Sequence, residues 1–544
     1  MMREGDASSI IARLGTLQGS RSNFDTLFDE VKKVVWPDGG DFLTSRRSPG
    51  EKTTRDIYEM TAALAVEKFA AAMESFLTSR TSRWHKLSAS NDELNKIAEV
   101  KDFFEDATDA LFKVRNSPGA RFYGQMHEAY KSLGAYGNSC MFVDEVPSGG
   151  IRYKYTHIGQ AWIEVNHMGV VDTVYYEYEL SAKAAVQKWG DDAPPVARST
   201  LDTDPFKKSK YIHCVRPNDD VDPERADAEG MAFESYHVGV ADQVIIDEGG
   251  YEELPYIWSR YTLNPAEMYG RGPGMLVLPE IQTLQEMEKV FLRSGHKVAD
   301  PPLLVANDGV IGRGSKRIRI NPGGINMGGL DSQGRPMIAP LHTGARLDIT
   351  GEMMDQKRMI IREAFLVNLF DLLERDRVQM TATEVLERAK EKGQLLTPVI
   401  GRQQSEFLGP MIQREIGIAQ RQGMLPPLPD ALLEAAGEYE IEYESGATRM
   451  QKSDEVSAVQ RTIEVMTPFI MANPALLAVI KDEDTFRHVW DLLGAPSSLT
   501  NSEEEMVAIH KAQAQAAQAQ QMREDIPAAA GVMKDVSAAQ GQAA

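Results

Sequence analysis

The chain has 544 residues, which is longer than one hydrophobic core usually supports, so two or more domains are expected. Hydrophobic residues make up 42% and charged residues 26%, as in globular proteins, and no apolar run approaches the roughly 18 residues of a membrane helix. The net charge of −21 argues against a protein that grips nucleic acid, because gripping requires Lys and Arg to neutralise phosphates.

The cysteines and the N-terminus indicate the compartment. Cys140 and Cys214 lie far apart and form no CxxC pair, which excludes a disulfide framework and favours a reducing compartment. Cys140, at the start of an apolar strand pattern, is expected to be an inert buried side chain. Met1–Asp6 lacks the apolar segment of a signal peptide. We therefore expect the chain to fold where thiols stay reduced.

The N-terminal region is predicted to be helical. Residues 1–48 alternate helical pieces, Ile10–Leu17 and Asn23–Val35, with loops, which is typical of a peripheral arm. From Thr54 to Thr78 apolar residues recur at helical spacing, which predicts an amphipathic helix. Two further helices and a turn that leads into a strand are expected at Asp92–Arg115, 118–133 and Gly134–Val143.

A basic cluster follows the amphipathic helix. Arg80, Arg83 and Lys86 surround Trp84. One interpretation is contact with phosphate and base. The other, which the pattern favours, is a solvated helix end with one buried aromatic side chain.

Residues 150–260 are predicted to be rich in β-strands. Alternating segments occur at 152–155, 161–165, 170–178, 232–238 and 243–247. A short helix, Ser181–Trp189, interrupts them, and Asp219–Glu224 lacks the glycine and closing glutamate of a calcium loop, so we expect an acidic turn. The histidines stand singly and no GxSxG elbow occurs. The sequence predicts neither an enzyme nor a cofactor or metal site.

Two long helical patterns bracket an insert. Tyr269–Gly274 is a glycine-rich turn that can continue neither helix nor strand. Apolar residues at helical spacing follow from Leu278 to Phe291, and a second such pattern runs from Met354 to Leu372. Segments of roughly twenty residues make rods of about 30 Å, which bury one face and need a neighbour for the other. We interpret the pair as part of the lining of a ring.

The insert, 301–346, is basic in an acidic chain. Its candidate docking residues are Arg313, Lys316, Arg317 and Arg319. Residues 316–320 alternate like a strand with one basic face, which either meets DNA or an acidic partner or is a solvated edge strand protected by its charges. The stretch before it superficially resembles a phosphate loop, but Ser and Lys stand in the reverse order, so nucleotide binding is not predicted.

A mixed-charge loop follows the second helical pattern. It contains Arg375 and Arg377, which matter for function only if the helices line a channel. Capping residues then begin a long helix over 381–422. Pro398 and Pro410 should kink or break it.

The C-terminal region contains a strand, a helical module and a tail. The strand is expected at Tyr439–Tyr443, and the tail from Asn501, rich in Ala and Gln, is either disordered or a helix ordered only by assembly. The helical module, 454–493, is expected to form a small core from Phe469, Leu476, Leu477, Phe486, Val489 and Trp490.

From about Thr54 to Pro429, the order and spacing of these segments resemble the portal (head-to-tail connector) proteins of short-tailed, podovirus-type phages. The most specific segments are Tyr269–Pro273 with Leu278–Ile281, and Met380–Val385. Weaker ones are the helical segment that ends at Trp84 and the turn at 134–143.

The resemblance implies an α+β, mainly helical fold with the wing, stem, clip and crown of phage portals, assembled as a ring. The implied boundaries are wing 1–277, stem helices 278–298 and 347–371, clip 299–346, channel loop 372–381, long wing helix and returning strand 382–450, crown 451–500 and tail 501–544. The tail is implied to be disordered or to extend a C-terminal helical barrel.

The resemblance also implies a function. Family members form a dodecamer at one capsid vertex, nucleate the procapsid with capsid and scaffolding proteins, and pass double-stranded DNA during packaging and ejection. The clip docks the terminase and later the tail adaptor, and Arg375 and Arg377 fall where the family places its loop facing DNA. No membrane or cofactor is implied; the protein belongs to the virion and assembles in the host cytoplasm.

The physical interpretation agrees with this resemblance in charge. A conduit through which DNA slides should touch phosphates at few points, because every contact adds affinity and friction. The alternatives are a cytoplasmic hydrolase with scattered carboxylates, which predicts a pocket with perturbed titratable groups, and a tail or capsid structural protein other than the portal.

Overall fold

The structure is a computed structural model that describes residues 4–42, 50–91, 93–147, 149–222, 225, 227–305, 330, 332–340, 347–367, 398–434, 439–444, 446–473, 481–493 and 506–516. It is a mixed helix-and-sheet protein, as the α+β prediction requires. The chain divides into a first unit, Met1–Trp84 with Leu111–Met424, and a second unit, His85–Ala110 with Leu425–Ala544.

The helices are α1 (Glu4–Val34), α2 (Thr61–Leu77), α3 (Ala98–Arg115), α4 (Phe122–Tyr136), α5 (Ala182–Trp189), α6 (Pro195–Leu201), α7 (Pro273–Leu276), α8 (Leu278–Ala299), α9 (Leu347–Ala364), α10 (Gly409–Arg421), α11 (Asp430–Glu434), α12 (Gly446–Ala472) and α13 (Asp482–Leu492). Residues 398–403 and 506–516 are also helical. The amphipathic helix α2 begins seven residues later than the pattern predicts, because Thr54–Asp56 form a turn.

The strands are β1 (His85–Ala89), β2 (Asn138–Glu145), β3 (Ile151–Tyr155), β4 (Ala161–Val165), β5 (Val171–Ser181), β6 (Lys208–Pro217), β7 (Phe233–Gly239), β8 (Val244–Tyr251), β9 (Tyr256–Arg260), β10 (Leu303–Val305), β11 (Ile338–Pro340) and β12 (Tyr439–Tyr443). The β-rich region predicted over 150–260 is confirmed. The alternation predicted five of its strands, whereas β6 and β9 were missed because β6 opens with polar residues and β9 is buried along its whole length.

Four antiparallel sheets pair these strands. In the first unit, β4 to β8 form a five-stranded meander in chain order, β3-β2-β9 form a three-stranded sheet, and β10 pairs with β11. In the second unit, β1 pairs with β12 with His85 opposite Tyr443. The predicted strand at 439–443 is therefore confirmed. Its partner β1 was not predicted, because it lies far away in sequence and is polar at alternate positions.

Helix α1 is one continuous helix in the core of the first unit, which corrects the prediction of two pieces in a peripheral arm. Gly15 and Gly19 lie inside it although each costs roughly 1 kcal/mol relative to alanine. Burial outweighs that cost, because one stripe of α1 packs on the five-stranded sheet. The cluster contains Ala7, Ile10, Leu14 and Leu17 of α1 with Trp162, Tyr175, Ile212, Cys214, Val238 and Ile245.

A buried arginine fixes the position of α1. Arg21 donates hydrogen bonds to the backbone oxygens of Ile158, just before β4, and of Ala161, the first residue of β4. Its guanidinium lies 4.5 Å from the ring of Trp162 and 2.8 Å from the carboxylate of Asp25. These contacts pin the helix to one end of the sheet.

A fully buried ion pair joins four segments of the first unit. Arg115, at the end of α3, pairs with Glu415 of α10, and neither side chain is exposed to solvent (0%/0%). The hydroxyl of Tyr153 on β3 donates to the same carboxylate at 2.6 Å. The guanidinium lies 4.6 Å from the ring of Trp84. Burial alone would lower the pKa of Arg115, but the Glu415 carboxylate outweighs it and raises that pKa.

This arrangement decides between the two interpretations of the basic cluster. Trp84 is buried beneath Arg115, and Arg80 lies 5.4 Å from the ring of Tyr123. The prediction of a helix end with one buried aromatic side chain is therefore confirmed.

The helix that contains Pro410 is widened instead of broken. Residues 404–408 are π-helical, and the backbone N–H of Gly409 donates to the oxygen of Gln404, five residues back. A proline ring would collide with the carbonyl four residues earlier in a regular α-helix, and it has no N–H to donate. A π-helical turn removes that conflict, so residues 398–421 continue through Pro410 with a change in winding.

Three histidines of the first unit are neutral side chains, of which His213 is buried and His157 and His237 are partly buried. Burial lowers the pKa of His157 and of His237 to about 3 and that of His213 well below its ordinary value. His213 and His237 face each other across β6 and β7 with ring centroids 4.1 Å apart, so they are not isolated as their spacing suggested. Hydroxyls of Tyr256 and Ser235 satisfy both nitrogens of His213.

The described residues of 454–493 do not form the small core expected there. Phe469 and Phe486 are 61% and 60% exposed, and Val489 and Trp490 are only partly buried. The ring of Phe486 contacts Trp490 at 5.6 Å. Leu476 and Leu477 lie outside the described residues. In the tail, residues 506–516 form an exposed helix.

Removing Glu415 should destabilise the first unit strongly. Glu415→Ala leaves the Arg115 guanidinium buried without its counter-charge, which costs about 3–5 kcal/mol. Urea unfolding followed by tryptophan fluorescence should show this loss, and Arg115→Met with Glu415→Leu should recover part of it. Arg13→Ala, which removes an exposed pair with Glu164, is the control, with a loss below about 1 kcal/mol. A Glu415→Ala loss no larger than the control's would contradict this role.

Candidate functional site: the helix pair α8–α9

The candidate site is the pair of helices that brackets the insert. Arg313, Lys316, Arg317 and Arg319 of the insert lie outside the described residues, as do Arg375 and Arg377 of the predicted channel loop. The structure therefore neither brings these side chains together nor separates them. It does describe the elements that carry them, which are α8, β10, β11 and α9.

The two helices meet at the insert. The 22 residues of α8 make a rod of about 33 Å, and α9 has 18 residues. Strand β10 follows α8 and pairs antiparallel with β11, with Leu303 opposite Pro340, so the end of α8 and the start of α9 lead to one hairpin. Helix α9 ends at Ala364, before the predicted 371, because Leu366 adopts a left-handed conformation with φ 59°.

The opposite ends of the helices, their roots, are held in an apolar core. Leu278, Ile281 and Leu284 of α8 are buried, as are Ile361 and Phe365 near the end of α9. The ring of Phe365 lies 6.4 Å from that of Phe69 on α2. The apolar spacing that predicted both helices thus identified the faces that hold their roots.

The glycine-rich turn before α8 packs backbone against backbone on the end of α4. A Cβ atom at Gly272 would lie 2.6 Å from the nitrogen of Gly137, which itself has a φ of 70°. Asn138 holds the turn from both sides, since its amide donates to the oxygen of Gly270 at 2.9 Å and its oxygen accepts from the Gly270 N–H at 2.8 Å. This close approach explains why the turn consists of glycines.

A buried glutamine ties α8 to the start of α2. The side-chain oxygen of Gln285 accepts from the backbone N–H groups of Tyr58 and Glu59 at 2.8 and 3.1 Å. Its amide donates to the oxygen of Glu59. One side chain therefore satisfies three backbone groups of a segment that has no regular structure.

Arg358 ties α9 to the same segment. Its guanidinium donates to the carboxylate of Glu59 at 2.9 and 2.5 Å and to Glu288 of α8 at 3.2 Å. Burial would raise the pKa of Glu59, but hydrogen bonds from Thr61 and Arg358 outweigh it and lower that pKa below its ordinary value. The pair is thus fastened by polar contacts directly above its apolar root.

Beyond these contacts the helices cover each other on one face, where Met354 is buried, and are exposed on their other faces. No described side chain of α8 after Gln285 is buried, and Val290 is 54% exposed. On α9, Met353 and Met359 are about half exposed. Exposed apolar side chains therefore lie on both helices away from their roots.

The helix that follows the predicted channel loop is fixed to the three-stranded sheet. Gln403 accepts from the hydroxyl of Ser259 at 2.6 Å and donates to the oxygen of Arg260 at 3.0 Å. The guanidinium and backbone N–H of Arg260 both bond the carboxylate of Glu406 in the π-helical turn. The chain on the far side of the loop therefore returns to a rigid base in the same unit.

Among the residues that the structure describes, no three His, Cys, Asp or Glu side chains gather as metal ligands, and no helix is long and apolar enough to cross a membrane. Burial raises the pKa of the Cys140 thiol far above its ordinary value, as expected of an inert side chain.

Gln285, Glu59 and Arg358 were not predicted to be functional. Gln285 carried a signal, since a polar residue directly after Leu284 interrupts the apolar face of α8. Glu59 and Arg358 carried none, because charged residues on helices are usually solvated and their sequence separation hides the contact.

Comparison with known proteins gives matches that cover nearly the whole chain. The family model for "Bacteriophage head to tail connecting protein" matches residues 7–500. The portal protein of Salmonella phage epsilon15 is 25% identical over 546 residues, which cover 99% of this chain and 97% of that protein. The probable portal protein of Bordetella phage BPP-1 is 25% identical over 529 residues, which cover 96% and 93%.

Arg358→Ala should loosen the helix pair in a pH-dependent way. Because the pKa of Glu59 is lowered on folding, its contact with Arg358 stabilises fully above the ordinary carboxyl pKa of 4.5 and is lost as the pH falls through the lower folded value. We expect a loss of about 1–2 kcal/mol at pH 7 that shrinks below pH 4.5. Thermal unfolding from pH 7 to pH 4 measures it.

The matched control is Lys289→Ala, which removes only an i,i+3 pair with Glu286 on the same helix. It should change the unfolding midpoint little at any pH. An Arg358→Ala effect that is equal at pH 7 and pH 4 would show that Glu59 is not its partner.

Proposed function

The chain belongs to the bacteriophage head to tail connecting protein family, and on that basis we propose that it is the portal of a short-tailed phage. In this role, identical subunits form a ring, a dodecamer, at one capsid vertex, and double-stranded DNA passes through it during packaging and ejection. The observation that carries the proposal is the family match from residue 7 to residue 500, supported by the near-complete alignment with two relatives that are named as portal proteins.

The helix pair gives the proposal a physical basis. Its roots are buried and fastened, while the halves near the insert expose apolar side chains that nothing in the described part of the first unit covers. A monomer would leave this surface in water. A ring of identical subunits would cover it by placing each pair beside the next.

Each part of a portal is proposed to correspond to particular segments of this chain. We assign the stem to 278–298 and 347–371, the clip to 299–346 and the channel loop to 372–381. The wing comprises 1–277 with the returning segment 382–450, the crown 451–500 and the tail 501–544. The clip docks the terminase and later the tail adaptor, and capsid and scaffolding proteins bind the ring as it assembles in the host cytoplasm.

Electrostatics favours a passive conduit. The net charge of −21 repels phosphates on average, so DNA contacts only the few basic points that face it. The chain acts structurally, and the energy for packaging comes from the separate terminase motor.

Arg375→Ala with Arg377→Ala should alter DNA packaging or retention without dissolving rings, because these guanidiniums are proposed to face DNA in the channel loop. Packaged DNA per particle and its loss at raised salt are the measurements. The matched control is Arg198→Ala with Arg216→Ala in the β-rich region, which should change neither quantity. Normal packaging and retention in the channel variant would overturn the channel assignment.

Charge reversal at Lys316, Arg317 and Arg319 should weaken docking of the terminase or adaptor while rings persist. The proposed docking is electrostatic, so affinity should fall about tenfold or more and the wild-type affinity should itself fall with salt. Pull-down of the motor on purified rings measures this loss. Undiminished docking would remove the docking role from this part of the clip.

A further inference from the structure

The uncovered half of α8 is basic. From Lys289 to Ala299 the helix contains Arg293, His296 and Lys297 and no acidic residue. All three side chains are exposed. Within the part of the chain that the structure describes, none of the three forms an ion pair.

The facing half of α9 is acidic. From Leu347 to Gln356 it contains acidic residues and no basic ones, and Glu352 and Asp355 are exposed. Asp355 contacts Arg358 of its own helix at 2.8 Å but remains 70% exposed, which leaves its carboxylate open to a second cation. The two helices of one pair therefore present opposite charge near the same hairpin.

Two basic residues of α8 and two acidic residues of α9 each lie on a stripe that also contains an apolar residue. Val290, Arg293 and Lys297 follow i, i+3, i+7 spacing, which places them on one face of α8. Glu352, Asp355 and Met359 follow the same spacing on α9. When two such helices are laid antiparallel, Val290 meets Met359, Arg293 meets Asp355 and Lys297 meets Glu352.

We propose that these stripes form the contact between neighbouring copies of the chain, with α8 of one copy against α9 of the next; this rests on the ring of the proposed function. Such a contact is heterologous, because two different surfaces meet, and repetition of it gives a ring when the rotation between copies closes. It buries Val290 against Met359 and pairs the two basic residues of one stripe with the two acidic residues of the other.

Other occupants fit these surfaces less well. Within one chain, α8 and α9 are already joined through Lys357 with Glu280 and Arg358 with Glu288, and Arg293 and Lys297 take no part. DNA would be attracted to the basic stripe of α8, but the acidic stripe of α9 beside it would repel the phosphates. A second copy satisfies both stripes.

A charge-swap experiment tests the contact. Variant A carries Arg293→Glu and Lys297→Glu, so both of its stripes are acidic. Variant B carries Glu352→Lys and Asp355→Lys, so both of its stripes are basic. Each alone should raise the concentration needed for ring assembly about tenfold or more, because like charges meet at every contact. Sedimentation velocity and negative-stain microscopy measure the rings.

Combining the variants separates a contact between copies from one within a chain. The chain with all four substitutions should form rings again in either case. A mixture of A and B should also form rings, of alternating subunits and therefore even number, only if the stripes meet between copies. Rescue by the mixture supports the proposal, and rescue by the fourfold variant without rescue by the mixture overturns it.

A control variant changes the charge away from both stripes. Lys183→Glu with Lys208→Glu changes the net charge as much as variant A at exposed sites of the β-rich region, and it should assemble normally. If A and B form rings as readily as the wild type, the contact is wrong although the ring stands. If A forms rings but loses DNA, the α8 stripe meets DNA and the contact is also wrong. If the wild type forms no rings, the proposed function itself fails.

Discussion

The buried charge of Arg115 is the constraint on which the first unit depends. A guanidinium without solvent is tolerated only if its counter-charge and its hydrogen bonds are supplied in place, and Glu415 of α10 supplies both. Tyr153 of β3 donates to the same carboxylate, and the ring of Trp84 lies against the guanidinium. Segments separated by 300 residues in sequence must therefore be correctly placed at the same time. The pair contributes specificity of arrangement as much as stability.

The same unit also holds the two long helices α8 and α9 at one end. An apolar root around Phe365, the glycine-to-glycine packing of Gly272 on Gly137, and the polar ties of Gln285 and Arg358 all lie at that end. The halves near the insert have no such partners among the described residues. A helix pair that is rigid at its root and uncovered beyond it is suited to assembly side by side with copies of itself, and the opposite charge of its two uncovered stripes gives that assembly a direction.

The sequence predicted those parts of the fold in which local pattern and tertiary burial agree. The spacing of Ile281 and Leu284 located α8 and its buried face, and alternation located β3 and four of the five strands of the meander. Prediction from the sequence failed where tertiary contacts override the local pattern. The pattern at the N-terminus predicted two helical pieces, Ile10–Leu17 and Asn23–Val35, whereas packing on the sheet gives one continuous helix. Pro410 predicted a kink, whereas the helix continues through it by a π-helical turn. The small core expected around Phe469 failed because apolar spacing shows which face seeks burial but not whether the same chain provides it. The proposed DNA and docking residues, Arg375 and Lys316 among them, stay predictions.

The central claim is that the purified chain assembles side by side into a ring with a central hole. Negative-stain electron microscopy of the purified protein, with its mass determined by light scattering, tests that claim most directly. The account predicts rings viewed along an axis of symmetry, with a mass that is a large whole multiple of 60.3 kDa. A compact monomer or dimer that persists at high protein concentration would contradict it.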